Sequence, residues 1–464
     1  MSANQTPDLS FAARALPRIP ARAASLLKLE RAQLAVLAAL AATSSVSIFA
    51  AQVLLAIGLL IFGVRLARGQ TRFRSLPIDA PVLAFGVWTL LSASFSPNPG
   101  ASHENAKKLV LFTVTYLAAS SMRAREDRER VLDAVLLGGL TLCGFALLQF
   151  YFLGFDTLDN RPRGFLGHYM TASGLAMGVL VLGIARLSVR SVPFRRPSAP
   201  DVRALAVIAA LLAGLTLSKR AGLFPVEAER LVGAALAVAA ATLALLRNGW
   251  PGPSARSLLG LLACFLCAWS LVLSRTRNAW LGTLAGLCTI AALRAPRALL
   301  LLPAGLGALL VLRPPQLIDR LTLRDASSVD RYYMWQAGID MVLDKPVFGQ
   351  GPGMVRALYP RYRWPEAPNP VAPHLHDTFI QIAAERGLLC LGFYLWLLFV
   401  LLRDAWRAAR DALSDTRERG VPALAVIVAL IVAGAFEYNF GDSEVLMFTL
   451  LVAALPYSDP EAAA

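Results

Sequence analysis

The sequence predicts an all-α polytopic membrane bundle, and three observations carry that expectation. The 464 residues are 56% hydrophobic and only 16% charged, against about 25% charged in an ordinary soluble domain. Apolar runs rich in Leu, Ala and Val recur along most of the chain, and many approach the length that crosses a hydrocarbon core of about 30 Å. They lack period-two alternation, so helices, which satisfy their own backbone hydrogen bonds in lipid, are expected rather than a barrel.

In chain order the runs fall at 32–48, 50–66, 79–96, 107–121, 131–153, 168–188, 203–217, 231–246, 257–273, 278–293, 297–312, 376–402, 421–438 and 441–457. Some are short and neighbours can merge or re-enter, which gives an expectation of 12–14 spans. Residues 1–31 carry basic side chains but no compact apolar core followed by a small-residue cleavage site, and read as a cytoplasmic tail. The expected organisation is a tail at 1–31, a helix bundle at 32–312, a polar loop domain at 313–375 and C-terminal membrane helices at 376–457.

Arginine sets the expected orientation. With the N-terminus inside, Arg65, Arg68, Arg72 and Arg74, then Arg123, Arg125, Arg128 and Arg130, then Arg186, Arg190, Arg195, Arg196 and Arg203, and later Arg294, Arg297, Arg403, Arg407, Arg410, Arg417 and Arg419 fall in inside loops. Both ends are then cytoplasmic and the long polar excursion lies outside. The net charge of +15 reflects topology, and no nucleic-acid partner is expected. The four histidines, His103, His168, His374 and His376, all fall at or near the outer face in this assignment.

The five cysteines lie in apolar runs, and Cys264 and Cys267 have CxxC spacing without a second pair or nearby histidine. They read as small buried hydrophobes. No P-loop or dinucleotide fingerprint is present, and the inside loops are too short for a nucleotide-driven motor.

The polar excursion ends in His374-Leu375-His376-Asp377 as the next apolar helix begins. His376, expected to open a helix running to Gly387, is positioned to accept a proton from an attacking hydroxyl. His374, His376 and Asp377 invite a metal reading, but i, i+2 residues diverge on a helix and no further ligand stands out, so no metal is expected.

Arginines on the outer face run against the topological bias. Arg161 and Arg163 lie in a Gly/Pro-containing segment that ends at His168, and Arg275 and Arg277 lie in a tight turn between two spans. Such side chains either snorkel to lipid phosphate or clamp an anionic ligand through arginine's fork of donors. Within the excursion, 330–344 reads as an amphipathic helix with Arg331 and Trp335 on one face. The glycines at 349, 351 and 353 then serve either as ordinary turns or as places of close backbone approach. The stretch 359–365 interleaves aromatics with arginines, as an interfacial belt or a stacking platform would.

Taken together, Arg163-Gly-Phe-Leu-Gly-His168, Thr276-Arg-Asn-Ala-Trp280, Asp330-Arg-Tyr-Tyr-Met-Trp335 leading to Asp344-Lys-Pro-Val-Phe-Gly-Gln-Gly351, and His376-Asp377 with Gly387 eleven residues after the histidine resemble the O-antigen ligase and polymerase superfamily. The resemblance covers about residues 160 to 390 and implies a GT-C-like membrane glycosyltransferase. Its donor would be a polysaccharide on undecaprenyl diphosphate, its acceptor lipid A-core, and its site periplasmic in the bacterial inner membrane. It implies no nucleotide, metal or other cofactor. Carried over by position, His376 is the general base, and Arg277 and Arg331, with Arg163 beside them, bind the diphosphate. Arg161, Arg275, Asp377 and His168 are secondary candidates.

The chain departs from the ligase pattern at Asp377, where an amide or hydroxyl residue is usual, at Cys390, and in the extra runs at 203–246. An O-antigen polymerase or a protein O-oligosaccharyltransferase shares the chemistry. A lipid or polysaccharide transporter is the reading from a different class; it would favour matched repeats and a polar site at the bilayer midplane. The residues leave the oligomeric state open.

Overall fold

The computed structural model describes residues 21–189, 253–300 and 326–458. Its helices are α1 (Ala21–Thr43), α2 (Ile48–Ala67), α3 (Asp79–Ser94), α4 (Pro99–Ala106), α5 (Thr113–Ser121), α6 (Arg125–Phe152), α7 (Tyr169–Val189), α8 (Pro253–Ser274), α9 (Arg277–Arg294), α10 (Ala326–Asp344), α11 (Val355–Tyr362), α12 (Thr378–Ala409), α13 (Ser414–Gly434) and α14 (Ser443–Ala453). Among the described residues there is no strand. The protein is an all-α polytopic membrane protein.

Among the described residues, five helices are long and apolar enough to cross a membrane: Ile48–Ala67, Arg125–Phe152, Tyr169–Val189, Arg256–Ser274 and Thr378–Ala409. Asp79–Ser94 and Ser443–Tyr457 are shorter apolar segments. The described residues thus hold fewer full-length spans than the 12–14 expected; the runs at 203–217 and 231–246, and all of 297–312 beyond residue 300, lie outside them. The expected 107–121 span is not a straight helix either. A 3-10 segment, Lys107–Phe112, joins α4 to α5.

α7 is the centre of the bundle, buried along nearly its whole length and packed by α8, α9 and α13. Small residues make this possible. A Cβ on Gly282 would lie 2.6 Å from the Ala429 carbonyl oxygen of α13, and one on Gly286 would lie 3.2 Å from that of Ala425, so the backbones of α9 and α13 meet closely. α2 does the opposite, exposing Phe49, Val53, Ile57 and Leu60, as a lipid-facing helix must.

The two ends of the bundle differ in how they treat charge. At one end arginines, among them Arg128 and Arg186 expected from sequence as loop cations, are locked into ion pairs. Arg186 meets Glu129 at 2.7 Å and Asp133 at 2.9 Å, Arg256 meets the same Asp133 at 3.0 Å, and Arg128 pairs with Asp415. These side chains join α6, α7, α8 and α13, so they fasten the bundle.

The polar excursion packs over the other end. α10 and α11 enclose a small core of their own: Met334, Ala337, Met341, Val355, Tyr359, Ala372, Leu375 and Ala384. The aromatics of 359–365 are staples of this unit. Tyr359 is fully buried, the Tyr362 hydroxyl donates to Asp344 at 2.5 Å, and the Trp364 indole donates to Asp340 at 2.9 Å.

α12 is broken where the excursion meets it. Gly387 sits at φ 82°, ψ 168°, a conformation open essentially to glycine alone. The break deprives three carbonyls of their helical partners, and each finds a replacement. Gln350 N–H donates to Ala384 O at 2.8 Å, Gly351 N–H to Glu385 O at 2.7 Å, and the Trp88 indole to Arg386 O at 3.1 Å, while Leu388 N–H turns to Pro346 O at 2.8 Å. Satisfying these groups is obligatory near lipid. The glycine-rich stretch is therefore a place of close backbone approach: a Cβ on Gly349 would lie 2.4 Å from the Glu385 carbonyl carbon.

Candidate functional site

The chain before α12 positions both histidines around one buried residue. Leu375 is fully buried in the excursion's core, and its N–H donates to Gln381 Oε1 at 2.7 Å. Gln381 in turn donates to Glu385 Oε1 at 2.8 Å, which also accepts from Gly353 N–H at 2.9 Å. This network pins His374 and His376, and the sequence reading missed both Gln381 and Glu385.

Two expectations about this segment are corrected. His376 does not open the helix; Asp377 caps it, accepting from Ile380 N–H at 2.8 Å, so His376 lies one residue before the cap. Nor do the two imidazoles diverge. Their segment is non-helical, and the rings lie 4.2 Å apart between centroids, because helical spacing does not govern residues outside a helix.

Facing the Nδ1 atoms of both rings is Glu437, from the turn after α13. His376 Nδ1 is 2.8 Å from Glu437 Oε2, His374 Nδ1 is 3.4 Å from Oε1, and Arg331 Nη2 is 3.9 Å from Oε2. Glu437 is only 3% exposed. Sequence reasoning missed it because it lies 61 residues beyond His376 in a run read as apolar. A lone acid within such a run is the signal that would have found it.

Burial pushes the Glu437 carboxyl up, but His376, His374 and Arg331 outweigh this and hold it at about 2. Burial lowers His374 from 6.5 to about 4 even though Glu437 opposes the shift; His376, His168 and Arg331 reinforce it. Beside them Asp442, accepting from Thr171 Oγ1 at 2.8 Å, is pushed by burial up to about 7. Both the His374 and Glu437 shifts act in one direction on stability. Between pH 6.5 and about 4 the unfolded chain binds a proton at His374 that the folded chain refuses, and from 4.5 down to about 2 the same holds at Glu437, so the stability each of these two groups contributes is lost as pH is lowered through its window. Asp442 acts oppositely, because a folded-state pKa of about 7 against 3.8 unfolded adds stability as pH falls between those values. The His374 contribution is therefore read as a difference: lowering pH from 6.5 to 4 is expected to shift the thermal midpoint of wild type further downward than that of His374→Ala, and equal shifts would contradict this.

The arginines gather at the same end. Burial lowers the pKa of Arg161, and its further electrostatic neighbours include Arg331, Arg275 and Arg277; its guanidinium lies 4.4 Å over the Tyr169 ring. His168 lies within electrostatic reach of Glu437 and His376. Arg163 is exposed, donates to Gly167 O at 3.2 Å, and has its backbone N–H held by Gln149 Oε1 at 2.9 Å. Arg277 is the first residue of α9, where the helix dipole favours an anion. His103 stays apart, bonded to Ser94 and Pro99 O.

Among the described residues, the non-glycine residues with positive φ are Arg275 at 52° and His376 at 51°. Such backbone persists where surrounding structure enforces it, and it clusters at functional sites. Both positions were singled out from sequence.

The arrangement can hold a histidine by a buried anion at Nδ1, leave Nε2 for proton transfer, and keep the Arg331 guanidinium beside the same carboxylate. Residues 262–397 match the family model described as O-antigen ligase, which supports that family for the chain. The matched segment includes Arg275, Arg277, Arg331 and His376. No curated protein matches the chain.

Proposed function

We propose that this member of the O-antigen ligase family is an inverting glycosyltransferase that moves O-antigen polysaccharide from undecaprenyl diphosphate to a hydroxyl of lipid A-core. It would act at the periplasmic face of the bacterial inner membrane, with both termini cytoplasmic and the polar excursion, 313–375, outside. The single observation that carries this reading is His376 paired with buried Glu437 beside Arg331, at the end of the bundle where Arg161, Arg275 and Arg277 lie within one another's field.

In the proposed reaction, the acceptor oxygen forms a bond to the anomeric carbon as the carbon–oxygen bond to the diphosphate breaks. The hydroxyl proton passes to His376 Nε2, and the Glu437 carboxylate stabilises the imidazolium that results. The bonding electrons leave with the diphosphate. Arg277 and Arg331, with Arg161, Arg163 and Arg275 near them, are proposed to stabilise that charge. Attack opposite the leaving group inverts the anomeric centre. The energy resides in the donor.

The acceptor is the test. Purified full chain is incubated with lipid-linked glycan and either lipid A-core or a second lipid-linked repeat. Product with lipid A-core is expected; product only with the second lipid-linked repeat would refute ligation in favour of polymerisation, and no product with either would count against transfer. Arg277→Ala and Arg331→Ala are expected to lower transfer from the lipid-linked donor while leaving the protein inserted.

A further inference from the structure

We propose that His374, His376 and Glu437 form a binding site for a zinc-like divalent transition-metal ion, and that the ion switches the proposed transferase off by taking His376 Nδ1. Inhibition rests on the transferase reading; binding does not.

One ligand atom from each of the three residues can be chosen so that all lie within 4.8 Å of one another. Both imidazoles present Nδ1 to the carboxylate, at 3.4 and 2.8 Å. The side chains of His374 and His376 retain 25% and 14% of their exposure while Glu437 retains 3%, so an ion can arrive from the histidine side and meet a buried carboxylate. Two imidazole nitrogens and one carboxylate oxygen, with a position left for water, make a three-ligand set of the kind that zinc accepts. Nitrogen donors favour zinc, copper or nickel over magnesium or calcium. Arg331, 3.9 Å from Glu437, opposes the charge of the ion and must swing away.

The consequence for chemistry follows from imidazole tautomerism. A neutral imidazole carries one proton. When Nδ1 donates to Glu437, Nε2 has the free lone pair. When Nδ1 gives its lone pair to a metal, the proton sits on Nε2, which then has no lone pair to receive the acceptor's proton. No bond to substrate changes; the base is held in the wrong tautomer.

The test uses full-length protein in nanodiscs, stripped with chelator and titrated with Zn²⁺ alone by calorimetry. Uptake of one ion per chain, unaffected by excess Mg²⁺ and weakened about tenfold or more in both His374→Ala and Glu437→Gln, is expected. His374→Gln provides a second variant should His374→Ala misfold. Uptake equal in wild type and variants, or no uptake, overturns the site. In the transfer assay, Zn²⁺ should inhibit wild type reversibly with chelator. His374→Ala, measured against its own metal-free rate, should need at least about tenfold more. Site-dependent uptake without inhibition, in a protein that His376→Ala inactivates, overturns the switch. Site-dependent uptake in a protein whose His376→Ala variant remains active overturns the base assignment and with it the switch, whereas site-dependent uptake in a metal-free wild type that transfers nothing overturns the transferase reading; both leave the binding site standing.

Discussion

His376→Ala and Glu437→Gln are each expected to lower transfer by about 10²–10⁴-fold, the range for losing a positioned proton acceptor, and the double variant is expected to lose little more than the worse single one. The two residues act as one unit. His376 supplies the lone pair, and Glu437, 2.8 Å from its Nδ1, selects the tautomer that leaves Nε2 available and offsets the charge that forms there. Glutamine keeps the shape of Glu437 and removes its charge, so the loss should appear mainly in kcat. Arg331 is 3.9 Å from the same carboxylate, so part of the effect can pass through the arginine; Arg331→Lys combined with Glu437→Gln separates the two routes. Rates that multiply in the His376 and Glu437 double variant would show independent roles and count against the pairing. Wild-type rates in His376→Ala would remove the base assignment altogether.

The second large effect is structural. Gly387→Ala is expected to destabilise the protein by about 2–6 kcal/mol, combining a backbone region that L-residues avoid with overpacking against fixed backbone. A Cβ at this position would lie 1.9 Å from Val347 O and 2.4 Å from its carbonyl carbon, atoms that cannot rotate away. Relief requires the excursion to lift from α12, which frees the bonds from Gln350, Gly351 and Leu388 to and from the broken helix. The measurement is a thermal midpoint in detergent together with trypsin digestion at exposed Arg356 and Arg361. Both a lower midpoint and faster cleavage within 355–362 are expected. Gly392→Ala is the control, because nothing lies within 4 Å of a Cβ there. A Gly387→Ala protein as stable and as resistant as wild type would mean that the break in α12 is not set by glycine.

Much of the fold was legible because hydrophobic length is a local property. The runs at 50–66, 168–188 and 257–273 became α2, α7 and α8 within a few residues or a short polar extension, and the amphipathic pattern at 330–344 became the body of α10. Less legible were α12 and the 107–121 run. Composition gives no account of a helix interrupted at Gly387, since the carbonyls freed there are satisfied by Gln350 and Gly351, far earlier in the chain, and by Trp88. The 3-10 segment before α5 similarly carries no marker in its apolar sequence.

The candidate site divides along the same line. Arg277 stands out as an arginine against the topological bias, Arg331 by its amphipathic helix and His376 by its place at the end of the excursion, with their roles implied by the family resemblance. Arg331 and His376 do meet through a common partner. Adjacency does not supply the partner: the Asp377 side chain, a secondary candidate from sequence, caps α12, and it is Glu437 that meets the His376 ring. His374 was set aside on helical spacing that its segment does not follow.

By itself the sequence determined that this is a helical membrane protein, which end of the helices gathers unusual arginines, and which histidine to examine first. These follow from composition and order, because burial in lipid and snorkelling act on each segment alone. Only the tertiary structure decided that Glu437 meets both imidazoles, that Gln381 and Glu385 hold their loop, and that Gly387 opens α12 to receive the excursion. Such facts depend on backbone groups and charges brought together from distant positions, whose pairing is fixed by the requirement that no polar group be buried without a partner.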